Sequence, residues 1–245
     1  MANMIKQAWN SKGAGIAAAI VLALVVLVVI VAIVLSFVAP AKPGAQAPQE
    51  STAAQSPSAE PAKDSAACSV PAGDTSFRPK IPADLRWQAA QGLAWPTSGS
   101  VGPTKTRDGF PVCFARSPLG AALFGLTVMN EQYKGHSPAE LLKFYVAESP
   151  GKEVALKLGG TGGSAADTAA AGITPAGFIT DSFTPDEAQV TLVLASPGTE
   201  TGYTGMPFTY LWVDGDWRLK VLDSGKPFAG TVSAPVKGQF VEWRQ

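Results

Sequence analysis

Hydrophobic and polar positions follow four different patterns along this chain. The first is an unbroken apolar run, "GAGIAAAIVLALVVLVVIVAIVLSFVAPA", which carries no charge from Gly13 to Ala41. At about 1.5 Å per residue, a helix over Ile16–Val38 would be about 34 Å long, enough for a bilayer core of about 30 Å. We expect a transmembrane helix over 13–39. A cleavable signal peptide is the competing reading, because Ala39-Pro40-Ala41 resembles a cleavage site, but signal cores run only about 7–15 residues. Lys6 and Lys12 precede the run, whereas only Lys42 follows closely, with Glu50 soon after. This bias places the N-terminus, 1–12, in the cytoplasm and the bulk of the chain outside.

The second pattern is nearly free of large apolar residues. Residues 40–79 are mostly Ala, Pro, Ser and Gln with a few charges. Such a stretch buries too little surface to offset its ordering entropy and reads as a disordered linker.

The third pattern is helical. Before it, "ADLRWQAAQGLAWPTSGSVGPTKTRDG" is extended and turn-rich, which predicts an arm or one short strand with Trp87, Leu93 and Trp95 docked on the domain. Ser117-Pro118 then reads as an N-cap with proline at the first helical position. Leu119, Ala122, Leu123, Leu126 and Met129 recur at the helical period, toward an end near Tyr133. Ser137-Pro138-Ala139-Glu140 is a capping box for a second helix, which ends before Ser149-Pro150-Gly151. A third, weaker helix fits Ser164–Ala171.

After Gly172 the period becomes two. "AGFITDSFTP" leads through the Thr184–Glu187 turn into "AQVTLVLAS", and "GMPFTYLWVDGDWRLKVLD" is a hairpin about Asp214-Gly215. Helices followed by an antiparallel meander predict an α+β domain over 80–230 and a C-terminal tail over 231–245.

Composition adds limits. The 19 Lys+Arg balance 19 Asp+Glu, so no basic excess marks a nucleic-acid footprint. The charged fraction, 16%, is below the usual ~25% because the apolar run dilutes it. The chemistry-bearing residues are sparse. Cys68 and Cys113 are the only cysteines, and His136 is the only histidine. A catalytic Cys113 would need a base. A Cys68–Cys113 disulfide, two free structural thiols and a reactive cysteine are the three readings, and the disulfide suits a domain outside the membrane. His136 reads as an exposed loop residue, and no Cys/His cluster has metal-ligand spacing. Gly159–Gly163 lacks the Lys-Ser/Thr of a phosphate loop and reads as a flexible loop. Asp214 and Asp216 read as turn residues, as do Asp181, Asp186 and Glu187, with a cleft carboxylate among the last three left open. No catalytic, cofactor or metal site emerges.

The closing "VDGDWRL" hairpin resembles the last strands of the cone-shaped nuclear-transport-factor-like fold. With the anchor and tether, it resembles the inner-membrane assembly factors of type IV secretion and conjugation machines. "GLAWPTSGSVGPTKTRDGFPVCFARSPLGAAL" is similar to an actinobacterial group of anchored proteins from integrative and conjugative elements. The matching positions are Trp87, Gly92, Pro96, Ser98, Gly102-Pro103 and Ser117–Ala121, and Arg116 departs from the group's histidine. The likeness spans roughly residues 80–225. It implies a single-pass, non-catalytic component of a DNA-transfer apparatus. Its partners would be the membrane, other subunits and further copies of itself, without direct nucleic-acid binding. A ligand-binding module, such as an accessory protein of a lipid importer, is the alternative.

Overall fold

The structure is a computed structural model that describes residues 68–159, 164–229 and 232–244. The expected tail 1–12, span 13–39 and linker as far as residue 67 lie outside the described residues. Among the described residues no helix is long and apolar enough to cross a membrane.

Two hairpins replace the expected arm. β1 (Leu85–Ala90) pairs with β2 (Leu93–Ser98), and β3 (Lys105–Arg107) pairs with β4 (Phe110–Val112). Both turns are tight two-residue loops in the left-handed region, Gln91-Gly92 (φ 53° and 80°) and Asp108-Gly109 (φ 52° and 87°). That conformation matches the twist of the flanking strands, which is why it closes short hairpins. Leu93 and Trp95 are buried, while Trp87 is half-buried under the Arg244 guanidinium.

Four helices follow: α1 (Pro118–Glu131), α2 (Pro138–Tyr145), α3 (Pro150–Leu158) and α4 (Ala165–Ala170). The first three begin on the same Ser-Pro pair. Ser117, Ser137 and Ser149 each accept a hydrogen bond from the backbone N–H three residues on, and proline occupies a position that needs no donor. The expected end of α2 before Ser149 is correct. That the same Ser149-Pro150 pair also starts α3 is a correction to the three-helix reading.

α1 is buried around nearly its whole circumference. It packs on a five-stranded antiparallel sheet made of β5 (Thr174–Phe183), β6 (Glu187–Ala195), β7 (Tyr203–Val213), β8 (Asp216–Lys220) and β9 (Val241–Glu242), in the order β8-β7-β6-β5-β9. Two register shifts along β5 bend the sheet. Phe178, Val190, Leu192, Tyr210 and Trp217 join Leu123, Phe124 and Leu126 in one core. Phe124 meets the rings of Phe114, Tyr145 and Tyr210 edge-on, at centroid distances of 5.4–5.7 Å. The fold class is α+β.

Both expected domain ends are corrected. Cys68 to Pro79, read as linker, belong to the folded unit: Pro79 is buried and the Arg78 guanidinium donates to the carbonyls of Gly238 and Phe240. The expected tail supplies β9, and it buries Phe240, Val241 and Trp243.

Candidate functional site

Pro111 to Ser117 are tied to distant parts of the domain by a disulfide and by several hydrogen bonds. Cys113 is bonded to Cys68, with Cα atoms 5.1 Å apart. Its backbone lies in the left-handed region (φ 71°), uncommon for a residue with a side chain. Fully buried Asp216 holds it there. Its carboxylate accepts the N–H groups of Cys113 (2.7 Å), Phe114 (3.1 Å) and Trp217 (3.0 Å). The Trp217 indole donates to the Ala115 carbonyl (2.9 Å), and Tyr145 donates to the Pro111 carbonyl (3.1 Å). Burial pushes the Tyr145 phenol above its ordinary value. The same carbonyl of Ala115 would lie 2.0 Å from a Cβ at Gly120, so the first turn of α1 needs glycine there.

Asp216 is thus a buried anchor and not the turn residue expected, whereas exposed Asp214 (φ 51°) is one. Cys68, Cys113 and Asp216 bring their potential ligand atoms within 4.8 Å of one another. With the sulfurs bonded and the carboxylate accepting three N–H groups, this cluster is structural in the form described.

A second feature is an apolar cleft of about 260 Å³ between α1, α2 and the β7–β8 hairpin. Val128 and Met129 line it from α1, Leu141 and Leu142 from α2, and Phe208 and Leu219 from the sheet. Tyr210 and Gly125 form its floor. A Cβ on Gly125 would stand 2.0 Å from the Tyr210 hydroxyl, so the glycine lets that hydroxyl pack directly against the α1 backbone. Tyr210 is 1% exposed. Burial raises the phenol well above its ordinary pKa, which keeps the proton on it.

His136 and Gln132 sit on the cleft wall. His136 is not the exposed loop residue expected. Its ring lies on Phe110 at 4.3 Å, and Nε2 is 3.6 Å from the buried Glu131 carboxylate. Glu131 also accepts from Lys134 Nζ at 2.7 Å, and that ammonium lies 5.0 Å from the Trp95 ring. Nothing in the sequence pattern set Glu131 apart from a helix-end residue.

The other carboxylates do not converge. Asp181 accepts from Thr191 (2.7 Å), and partial desolvation raises its pKa. Exposed Asp186 pairs with Arg116, whose guanidinium lies over Trp212, and Glu187 pairs with Lys220 at 3.0 Å. Gly159 ends α3 at φ 65°, and Gly160–Gly163 lie outside the described residues.

The model of a domain of unknown function, DUF8175, matches residues 47–239. The chain belongs to the DUF8175 family. The match takes in the hairpins, all four helices and strands β5–β8, and starts inside the expected linker. No curated protein and no solved structure matches the chain.

Proposed function

We propose that this DUF8175 chain is a non-catalytic, membrane-anchored structural component of a conjugative, type IV secretion-like DNA-transfer apparatus. Residues 13–39 cross the cell membrane, the N-terminus is cytoplasmic, and the folded domain stands outside on a tether. The domain is a variant of the cone-shaped nuclear-transport-factor-like fold, with α1 lying on a bent antiparallel sheet. It works by docking other subunits and further copies of itself.

The Cys68–Cys113 bridge supports this reading most directly. Cys68 follows the tether, and Cys113 lies in the segment fixed by Asp216, Trp217 and Tyr145. Load passed along the tether would enter the domain at Cys113 and bypass the β1–β2 and β3–β4 hairpins. That suits a part that positions partners relative to a membrane. A disulfide also suits an oxidising compartment. Extraction of membranes in mild detergent and capture of the tagged full chain should recover a secretion-type ATPase or channel subunits. Recovery of the chain without such subunits would contradict the assignment.

The cleft favours a second reading, an anchored ligand-binding module such as an accessory protein of a lipid importer. Ligand sites are concave, mostly apolar and carry a few placed polar groups, and here those are Tyr210, His136 and Gln132.

A further inference from the structure

We propose that the outer edge of β1 pairs with the same edge of a second copy of this chain, antiparallel about Gln88. This deepens the reading of a docking part and rests on its expectation that copies associate.

The hairpin's own hydrogen bonding fixes which groups face outward. In a two-residue hairpin the residues that flank the turn, here Ala90 and Leu93, exchange both backbone hydrogen bonds, and every second pair does the same. Arg86, Gln88 and Ala90 therefore bond to β2. Ser98, opposite Leu85, gives the same phase, because its N–H and C=O are exchanged with Gly102, away from β1. Leu85, Trp87 and Ala89 thus turn their backbone groups away from β2. The Leu85 N–H donates to the Pro82 carbonyl, and the Leu85 carbonyl accepts from the Arg86 guanidinium. The N–H and C=O groups of Trp87 and Ala89 have no partner among the described residues, on a strand whose Gln88, Ala89 and Ala90 are exposed.

An open strand edge is a template for another strand, and proteins ordinarily blunt it with lysine, proline, a bulge or a covering segment. Other edges of this domain are treated in that way. Val146 and Ala147 lie along β8, with the Ala147 N–H donating to the Leu219 carbonyl at 2.9 Å. β3 is Lys-Thr-Arg, and β9 has only two residues. β1, Leu-Arg-Trp-Gln-Ala-Ala, has no lysine, no proline and no shift of register.

Self-complementarity selects a second copy as the occupant. Pairing about Gln88 sets Trp87 of each copy opposite Ala89 of the other, so the open groups of both meet in hydrogen bonds. Arg86 falls opposite Ala90, and no like charges face each other. Gln88 falls opposite itself, and its amide both donates and accepts. The contact is small, and on the anchored reading confinement to one membrane raises the effective concentration that sustains it.

The test is cysteine cross-linking of the full chain in the cells that make it. Cys68 and Cys113 are bonded to each other, so an added cysteine is the reactive one. Gln88→Cys would face its own copy at about 4.5 Å between Cα atoms, within disulfide reach. Arg86→Cys and Ala90→Cys would each stand about 13 Å from their own copies, beyond it. Copper phenanthroline should give a disulfide-linked dimer with Gln88→Cys and none with the two flanking variants. Adding Ala89→Pro removes an outward donor and leaves the β1–β2 ladder whole. It should abolish the Gln88→Cys dimer while leaving the unfolding midpoint unchanged. Equal cross-linking at the three positions, or a dimer that survives Ala89→Pro, overturns the pairing. If Ala89→Pro does not fold, the contrast among the three cysteines decides alone. Absence of a Gln88→Cys dimer also overturns it, and leaves the docking of other subunits to the capture experiment above.

Discussion

Asp216 is the residue on which the domain's local order turns. One buried carboxylate serves three backbone donors from two segments a hundred residues apart in sequence. Removing it strands those donors in a dry environment, where each unsatisfied group costs roughly 1–3 kcal/mol. Asp216→Ala should therefore lower unfolding stability by about 3 kcal/mol or more, read from the denaturant midpoint. Asp216→Asn should lose less, because one amide oxygen remains to accept. Sequence pattern showed Asp216 only as the second aspartate of "DGD", beside a turn. Its burial is set by Cys113 and Phe114, a contact that no local window contains. The packing of the Tyr210 hydroxyl against Gly125 is likewise a contact across the core that no local pattern contains. Cys113 was the reverse case. With only two cysteines, its single covalent partner could be named from sequence, though bridge and free thiol could not be told apart.

At the scale of elements, local chemistry was the readable part. Ser117-Pro118 and the Ser137–Glu140 capping box start α1 and α2 where the side-chain caps predict. Ser149-Pro150 was read only as a stop. Proline disfavours helix at the residue before it, so one Ser-Pro pair can end one helix and start the next. Ser149→Ala should lower stability by about 1 kcal/mol, measured by chemical denaturation. The Gln91-Gly92 turn was missed for a different reason: glutamine is not a customary left-handed residue, and the pairing of β1 with β2 imposes the conformation.

The α2 cap also carries a pH signature. Hydrogen bonds from the Ser137 hydroxyl and N–H hold the Glu140 carboxyl below its ordinary value. A carboxyl depressed in the folded state contributes stability that is present above the unfolded pKa of about 4.3 and lost as pH falls through the folded one. The Ser137 amide resonance should therefore titrate below that value, and Glu140→Gln should flatten the change.

For the molecule as a whole, the class was legible and the limits were not. The change of period from helical to alternating near Gly172 gave α+β. The boundaries failed because composition was taken for order. Cys68 to Pro79 have the composition of a tether, yet the disulfide and the Arg78 contacts fasten them. The last residues lack a long strand pattern, yet Phe240, Val241 and Trp243 complete the core. The bridge closes a loop of 45 residues, worth about 3–4 kcal/mol in the chain-entropy picture. The double variant Cys68→Ser, Cys113→Ser should lose about that much while keeping the sheet.

Both functional readings place the domain outside the membrane, fastened through that bridge. The most direct measurement is the thiol state of the full chain recovered from the cells that make it and denatured in a maleimide reagent without reductant. The expected result is no labelling before reduction and two labelled cysteines after it. Two reactive thiols before reduction would contradict the bridge and the compartment together.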